Sequence, residues 1–81
     1  MHKKSTVNSV QILAVDASDF AKLVGVSLRH IRRMESAGMI GPRPLRFGRS
    51  VRYSLLEVQK WIKAGAPARV LWEQLEQGAD G

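Results

Sequence analysis

Between Arg29 and Tyr53 the chain carries seven arginines, Arg29, Arg32, Arg33, Arg43, Arg46, Arg49 and Arg52, and a single acid, Glu35. This block alone has a formal charge of +6, which is the net charge of the whole 81-residue chain. Elsewhere basic and acidic residues cancel. A guanidinium is a planar fork of donors that grips phosphate, or O6 and N7 of guanine, through two parallel hydrogen bonds. The chemistry that such a block can perform is therefore anion recognition, with nucleic acid, an acidic protein or an anionic membrane as the candidate partners. A basic face that serves only solubility would not need this segregation.

Other chemistries find little support. There is no cysteine, which excludes disulfides and thiolate metal sites. His2 and His30 are too few for a zinc site without other ligands. The seven acids form no close carboxylate constellation. No phosphate-binding glycine loop is visible, and His30 has no nucleophile partner in the sequence. No enzyme activity, metal or cofactor is expected. Single-strand RNA binders stack bases on aromatic platforms, whereas Phe47 and Tyr53 are the only aromatics near the basic block and are expected to point inward. Asn8, Ser9 and Gln11 interrupt the N-terminal region, so it does not read as a signal peptide, and no apolar run approaches a membrane span. A cytoplasmic protein with no membrane partner is expected.

The arginines need a scaffold, and 81 residues allow one domain near the lower size for folding without staples. Residues 1–11 read as a basic tail in which Lys3 and Lys4 are either a loose electrostatic arm or plain disorder. A single domain is expected over 12–77, with 78–81 frayed. Ile12-Leu13-Ala14-Val15 is either an extended lead-in or a staple against the first helix. Asp16 is a good N-cap, Phe20, Leu23 and Val24 form a helical stripe, and Gly25 is a stop, which predicts a helix over about 17–24. Ser27 caps a second helix that runs to about Ala37 before Gly38. Ile31, Met34 and Ala37 fall on its inner side, and Arg29, Arg32, Arg33 and Ser36 fall opposite. Two short helices joined by so tight a turn carry the pattern of a helix-turn-helix, whose second helix enters the DNA major groove.

Gly41-Pro42-Arg43-Pro44 breaks helical structure. Leu45-Arg46-Phe47 and Val51-Arg52-Tyr53 then alternate apolar and basic around Gly48-Arg49-Ser50, which predicts a hairpin with a three-residue loop. Leu45, Phe47, Val51 and Tyr53 should face the core, Arg46 and Arg52 should face out, and Arg49 should stand at the tip. Ser54-Leu55-Leu56-Glu57 is a capping box that opens a third helix with Leu55, Val58, Trp61 and Ile62 inward. Pro67 suits the first turn of a fourth helix over about 67–77, with Ala68, Leu71, Trp72 and Leu75 on one face. The expected fold is mostly α with a small β-hairpin: a winged helix-turn-helix of three to four short helices and a two-stranded wing.

The run from Val15 to Gly65 resembles a known family. It is carried by Ala21-Lys22-Leu23-Val24-Gly25-Val26-Ser27, Ile31-Arg32-Arg33-Met34, Gly38-Met39-Ile40 with prolines after, a basic hairpin ending in Arg52-Tyr53, Leu56-Glu57-Val58 and Trp61-Ile62. These elements look like the excisionase and AlpA-like prophage regulators, compact winged-helix proteins related to the DNA-binding part of MerR regulators. The resemblance covers about 50 of the 81 residues. It implies double-stranded DNA binding, either to regulate transcription or to steer an integrase or other recombinase toward excision. It also implies that Leu28, Arg29, Arg32 and Arg33 meet DNA, that Arg49 sits at the wing tip, and that His30 is partly buried. Ala64-Gly65-Ala66-Pro67 through Trp72-Glu73 extends past the usual end of the domain.

On these expectations Arg29, Arg32, Arg33 and Ser36 would address the major groove and Arg46 and Arg52 the backbone. Arg49 would reach phosphate or a narrow minor groove. Ser27 would cap its helix or donate to a phosphate. The fourth helix, with Trp72 and Leu75, either completes the core or serves self-association on DNA or docking of a recombinase. The rival reading is a protein-interaction module whose basic face docks on an acidic partner.

Overall fold

The computed structural model describes residues 12–80. The expected tail, with Lys3 and Lys4, and the last residue lie outside them. The element order is β1 (Ala14–Val15), α1 (Ala17–Val24), α2 (Leu28–Ser36), β2 (Leu45–Phe47), β3 (Ser50–Ser54), α3 (Leu55–Lys63) and α4 (Arg69–Asp80). Among the described residues, four helices accompany one small antiparallel sheet of strand order β1-β3-β2.

Local chemistry accounts for the first three helix starts. Asp16 Oδ1 accepts from the Asp19 N–H at 2.8 Å, Ser27 Oγ from the His30 N–H at 3.0 Å and Ser54 Oγ from the Glu57 N–H at 3.2 Å. Each bond satisfies a donor that the first helical turn leaves free. α1 ends on Gly25 at φ 78°, a left-handed position that favours glycine. Only Gly25, Val26 and the cap Ser27 separate α1 from α2. α4 begins later than expected: the Trp72 N–H donates to the Ala68 carbonyl at 2.9 Å, which leaves Pro67 outside the first turn. It also continues to Asp80, past the expected fraying point.

The sheet departs from expectation in two ways. Ala14 and Val15 pair with Ser54 and Tyr53, which makes a third strand where two were expected. The hairpin loop has two residues, Gly48 and Arg49, because Ser50 already pairs with Phe47. Gly48 has φ 64° while Arg49 is not among the positive-φ residues, the sign pattern of a type II′ turn. Losing one loop residue shifts the register by one, and a one-residue shift turns a strand over. Leu45 now stands opposite Arg52 and Arg46 opposite Val51. Leu45 and Phe47 therefore share a face with Arg52, not with Val51 and Tyr53, and are 44% and 57% exposed. Arg46 and Arg52, expected on one outward face, lie on opposite faces.

The core joins Val15, Phe20, Ala21, Ile31, Ile40, Tyr53, Val58, Trp61 and Trp72. Phe20 is its centre, with its ring centroid 4.8 Å from that of Tyr53 and 6.1 Å from that of Trp61, both in the inclined geometries that aromatic quadrupoles favour. Several expected stripes rotate. Leu23 and Ile62 are exposed, and Ala21 takes the inward place in α1. His30 is exposed rather than partly buried, and Ala37 is exposed at the α2 C-cap. In α4 Trp72 is buried, while Val70, Leu71 and Leu75 are open to solvent.

Gly41 explains how α4 can dock. A Cβ on this residue would lie 2.6 Å from Trp61 Cδ1 and 2.6 Å from Trp72 Cγ. The backbone passes so close to both indoles that only glycine fits. The Trp61 indole N–H then donates to the Pro67 carbonyl at 2.7 Å, which anchors the loop that returns α4 to the core. Gly41→Ala should cost about 1–3 kcal/mol by overpacking. Urea unfolding followed by tryptophan fluorescence measures this, and an unchanged midpoint would show that the indoles do not confine Gly41.

Candidate nucleic-acid interface

The spacing of Arg29, Arg32, Arg33 and Ser36 places them along one side of α2, and all four are exposed. Ile31 on the other side is fully buried and fixes the rotation of the helix. Ser27 is exposed at the N-cap, where its oxygen is occupied by the His30 N–H. Its hydroxyl proton stays free to donate. Leu28 is half-buried.

An open groove separates α2 from the hairpin. Arg32, Glu35 and Ser36 line it from α2, Val51, Arg52 and Tyr53 from β3, and Asp16, Ala17 and Ser18 from the start of α1. The structure thus brings Arg32, Ser36 and Arg52 to one concavity. Arg46 is exposed and is not among the residues that line the groove; it shares a hairpin face with its register partner Val51, whereas Arg52 belongs to the other face. Arg52 is half-buried and donates from Nη1 to the carbonyl of Val51 at 3.0 Å. Arg49 is exposed in the two-residue turn. Nothing ties Arg29, Arg33 or Arg49 directly to the groove. Among the described residues, Arg29, Arg32, Arg33, Arg46 and Arg49 have no ion-pair or hydrogen-bond partner for their guanidinium groups.

The two remaining charges of the basic block, Arg43 and Glu35, are neutralised from α4. Arg43 pairs with Glu73. That bond and the guanidinium charge hold the Glu73 carboxyl below its ordinary range, and the same contact raises Arg43. Both partners are well exposed, so the pair adds little stability. Glu35 is bound more closely. Arg69 Nη2 lies 2.7 Å from Glu35 Oε2, with the two side chains only 15% and 28% exposed. The Tyr53 hydroxyl donates to Glu35 Oε1 at 3.1 Å. One carboxylate therefore joins α2, β3 and α4. Sequence reading identified neither Arg69 nor this role for Glu35 and Tyr53. The signals present were a lone acid inside the arginine block and a lone arginine at a helix start, 34 residues apart.

Among the described residues there is no cluster of three or more His, Cys, Asp or Glu able to hold a metal ion, and no helix long and apolar enough to cross a membrane. No protein-family model, curated protein or solved structure matches the chain. The likeness to the excisionase group rests on the residues quoted for it above.

Burial, the nearby Glu35 charge and the bond to its carboxylate push the Tyr53 phenol up to about 12 from an ordinary 10.0. The folded chain thus keeps this proton at a pH where the unfolded chain releases it. The resulting stabilisation is complete below pH 10.0 and is lost as pH rises toward about 12. Tyr53 is the only tyrosine, so tyrosinate absorbance reports on it alone. It should titrate well above a free tyrosine in the native protein and normally in urea. A native titration at the ordinary value would mean that the hydroxyl is not held by Glu35.

Proposed function

We propose that the chain binds double-stranded DNA as a compact winged helix-turn-helix, with α2 as the helix that enters the major groove and the β2–β3 hairpin as the wing. The observation that carries this reading is the groove lined jointly by Arg32 and Ser36 of α2 and Arg52 of β3, on the same helix and hairpin as Arg29, Arg33, Arg46 and Arg49, which have no guanidinium partner among the described residues. The tight turn between α1 and α2 and the two-residue turn of the hairpin support it.

Arg29, Arg32 and Arg33 present guanidinium forks to base edges and phosphates. A bidentate contact to guanine is worth about 1–3 kcal/mol of discrimination. Arg46 and Arg52 contact the phosphate backbone from the two faces of the hairpin, and Arg49 extends the reach of the wing. Ser27 donates its free hydroxyl proton to a phosphate. The protein is a binding module rather than an enzyme, and it acts as a transcriptional regulator or an excision factor that works with a recombinase. One small module buries limited DNA surface, so tight specific binding uses more than one copy.

If about six phosphates are neutralised, log K should fall against log salt with a slope near −5. Fluorescence anisotropy with a labelled duplex measures it, and a flat titration would remove the DNA reading. Arg33→Ala and Arg49→Ala should each weaken binding by about 3- to 30-fold while the circular dichroism spectrum stays native. Full affinity in both variants would exclude α2 and the hairpin tip from the interface.

A further inference from the structure

Arg69 occupies a place that helix energetics alone does not favour. It is the first residue of α4, whose first turn contains no acid, and a cation there opposes the helix dipole. Its side chain is 15% exposed, and its Nε is buried without a hydrogen-bond partner. Both features are costly. Its Nη2 reaches Glu35, and its backbone N–H donates to the Gly38 carbonyl at 3.1 Å, just beyond the end of α2. Arg69 thus gives up solvation and helix-end stability to hold the C-terminal end of α2.

Glu35 is the other half of the argument. It lines the same groove as Arg32, Ser36 and Arg52. An unpaired carboxylate there would repel the phosphates that these arginines attract. With Arg69 on Oε2 and the Tyr53 hydroxyl on Oε1, its charge is matched and both oxygens are occupied. We infer that Arg69 is a positioning residue for duplex binding: it cancels and restrains Glu35, so that α4 controls the affinity of a surface to which it contributes no contact. The inference rests on the DNA reading above. It differs from a purely stabilising ion pair in the sign of one substitution. A stabilising role makes loss of either partner harmful, whereas a charge-cancelling role makes loss of Glu35 beneficial.

The experiment uses the full chain, a labelled duplex and anisotropy at fixed low salt, with thermal unfolding recorded in parallel. Arg69→Gln should weaken binding about 3- to 10-fold, the range expected of one uncompensated charge near the phosphates. Glu35→Gln keeps the shape and an acceptor for Tyr53, and it should strengthen binding by about 3-fold. The double variant should return to within about twofold of the parent. The inference is overturned if Glu35→Gln weakens binding or leaves it unchanged, or if the double variant stays as weak as Arg69→Gln. Should Arg69→Gln fail to fold, Glu35→Gln alone decides by the same criterion. A parent chain that binds no duplex at low salt removes the DNA reading and this inference together. A parent that binds while its variants miss these outcomes removes this inference only.

Discussion

Like charges held close together repel, and this chain carries Arg29, Arg32, Arg33, Arg46, Arg49 and Arg52 on one helix and the neighbouring hairpin with little to offset them internally. Their mutual repulsion opposes the compact state. Holding them requires a backbone frame rigid enough to resist, and the frame is small. Phe20 packs on Tyr53 and Trp61, Ile31 fixes the rotation of α2, and Tyr53 fixes the hairpin. The residues that carry charge therefore alternate with those that carry the core: Ile31 beside Arg32, and Tyr53 beside Arg52. On the duplex-binding reading the repulsion has a use, because phosphates relieve it and bound counterions are released when they do.

The C-terminal helix is what lets so small a core suffice. Trp72 lies against Gly41 and shares that contact with Trp61, which closes the loop between α2 and β2. Arg69 and Glu73 then reach Glu35 and Arg43, the two charges of the basic block that are paired rather than left free. α4 thus adds apolar burial at one point and charge matching at two others. Its remaining apolar residues, Val70, Leu71 and Leu75, stay exposed.

What the sequence revealed follows the range of the forces involved. Asp16, Ser27 and Ser54 act within three residues of their partners, and each was legible as a cap. The amphipathic side of α2 was legible because helical geometry alone assigns it, and the turn at Gly25 was legible from glycine. The strand β1 was not, since two residues are too few to show a period. Leu23 and Ile62 were misplaced because both helices offer more apolar residues than the small core can cover, and only packing decides between Leu23 and Ala21. Ile40 escaped notice because it follows a helix end and belongs to no stripe. The bridge from Arg69 to Glu35 spans 34 residues and depends on how Gly41 admits two tryptophans, which no local pattern encodes.

The hairpin shows how one residue of loop length changes the character of a surface. With a three-residue loop, Leu45 and Phe47 would have joined Val51 and Tyr53, giving a wing with an apolar inner side and a cationic outer side. The two-residue turn moves Arg46 to the face of Val51 and Tyr53 and leaves Leu45 and Phe47 on the other face with Arg52. β2 is also an edge strand, and an exposed apolar edge invites pairing with another chain. Two features oppose this. β2 is only three residues long, and Pro44, Arg46 and Arg49 supply the proline and charge that discourage edge pairing. On the proposed function, the same turn makes the wing a mixed surface: one face carries Arg46 beside Val51, and the other carries Arg52 with the apolar bulk of Leu45 and Phe47. A wing of that kind gains from lying against sugar and phosphate together, because its aliphatic and aromatic groups are then covered while its guanidinium groups remain paired.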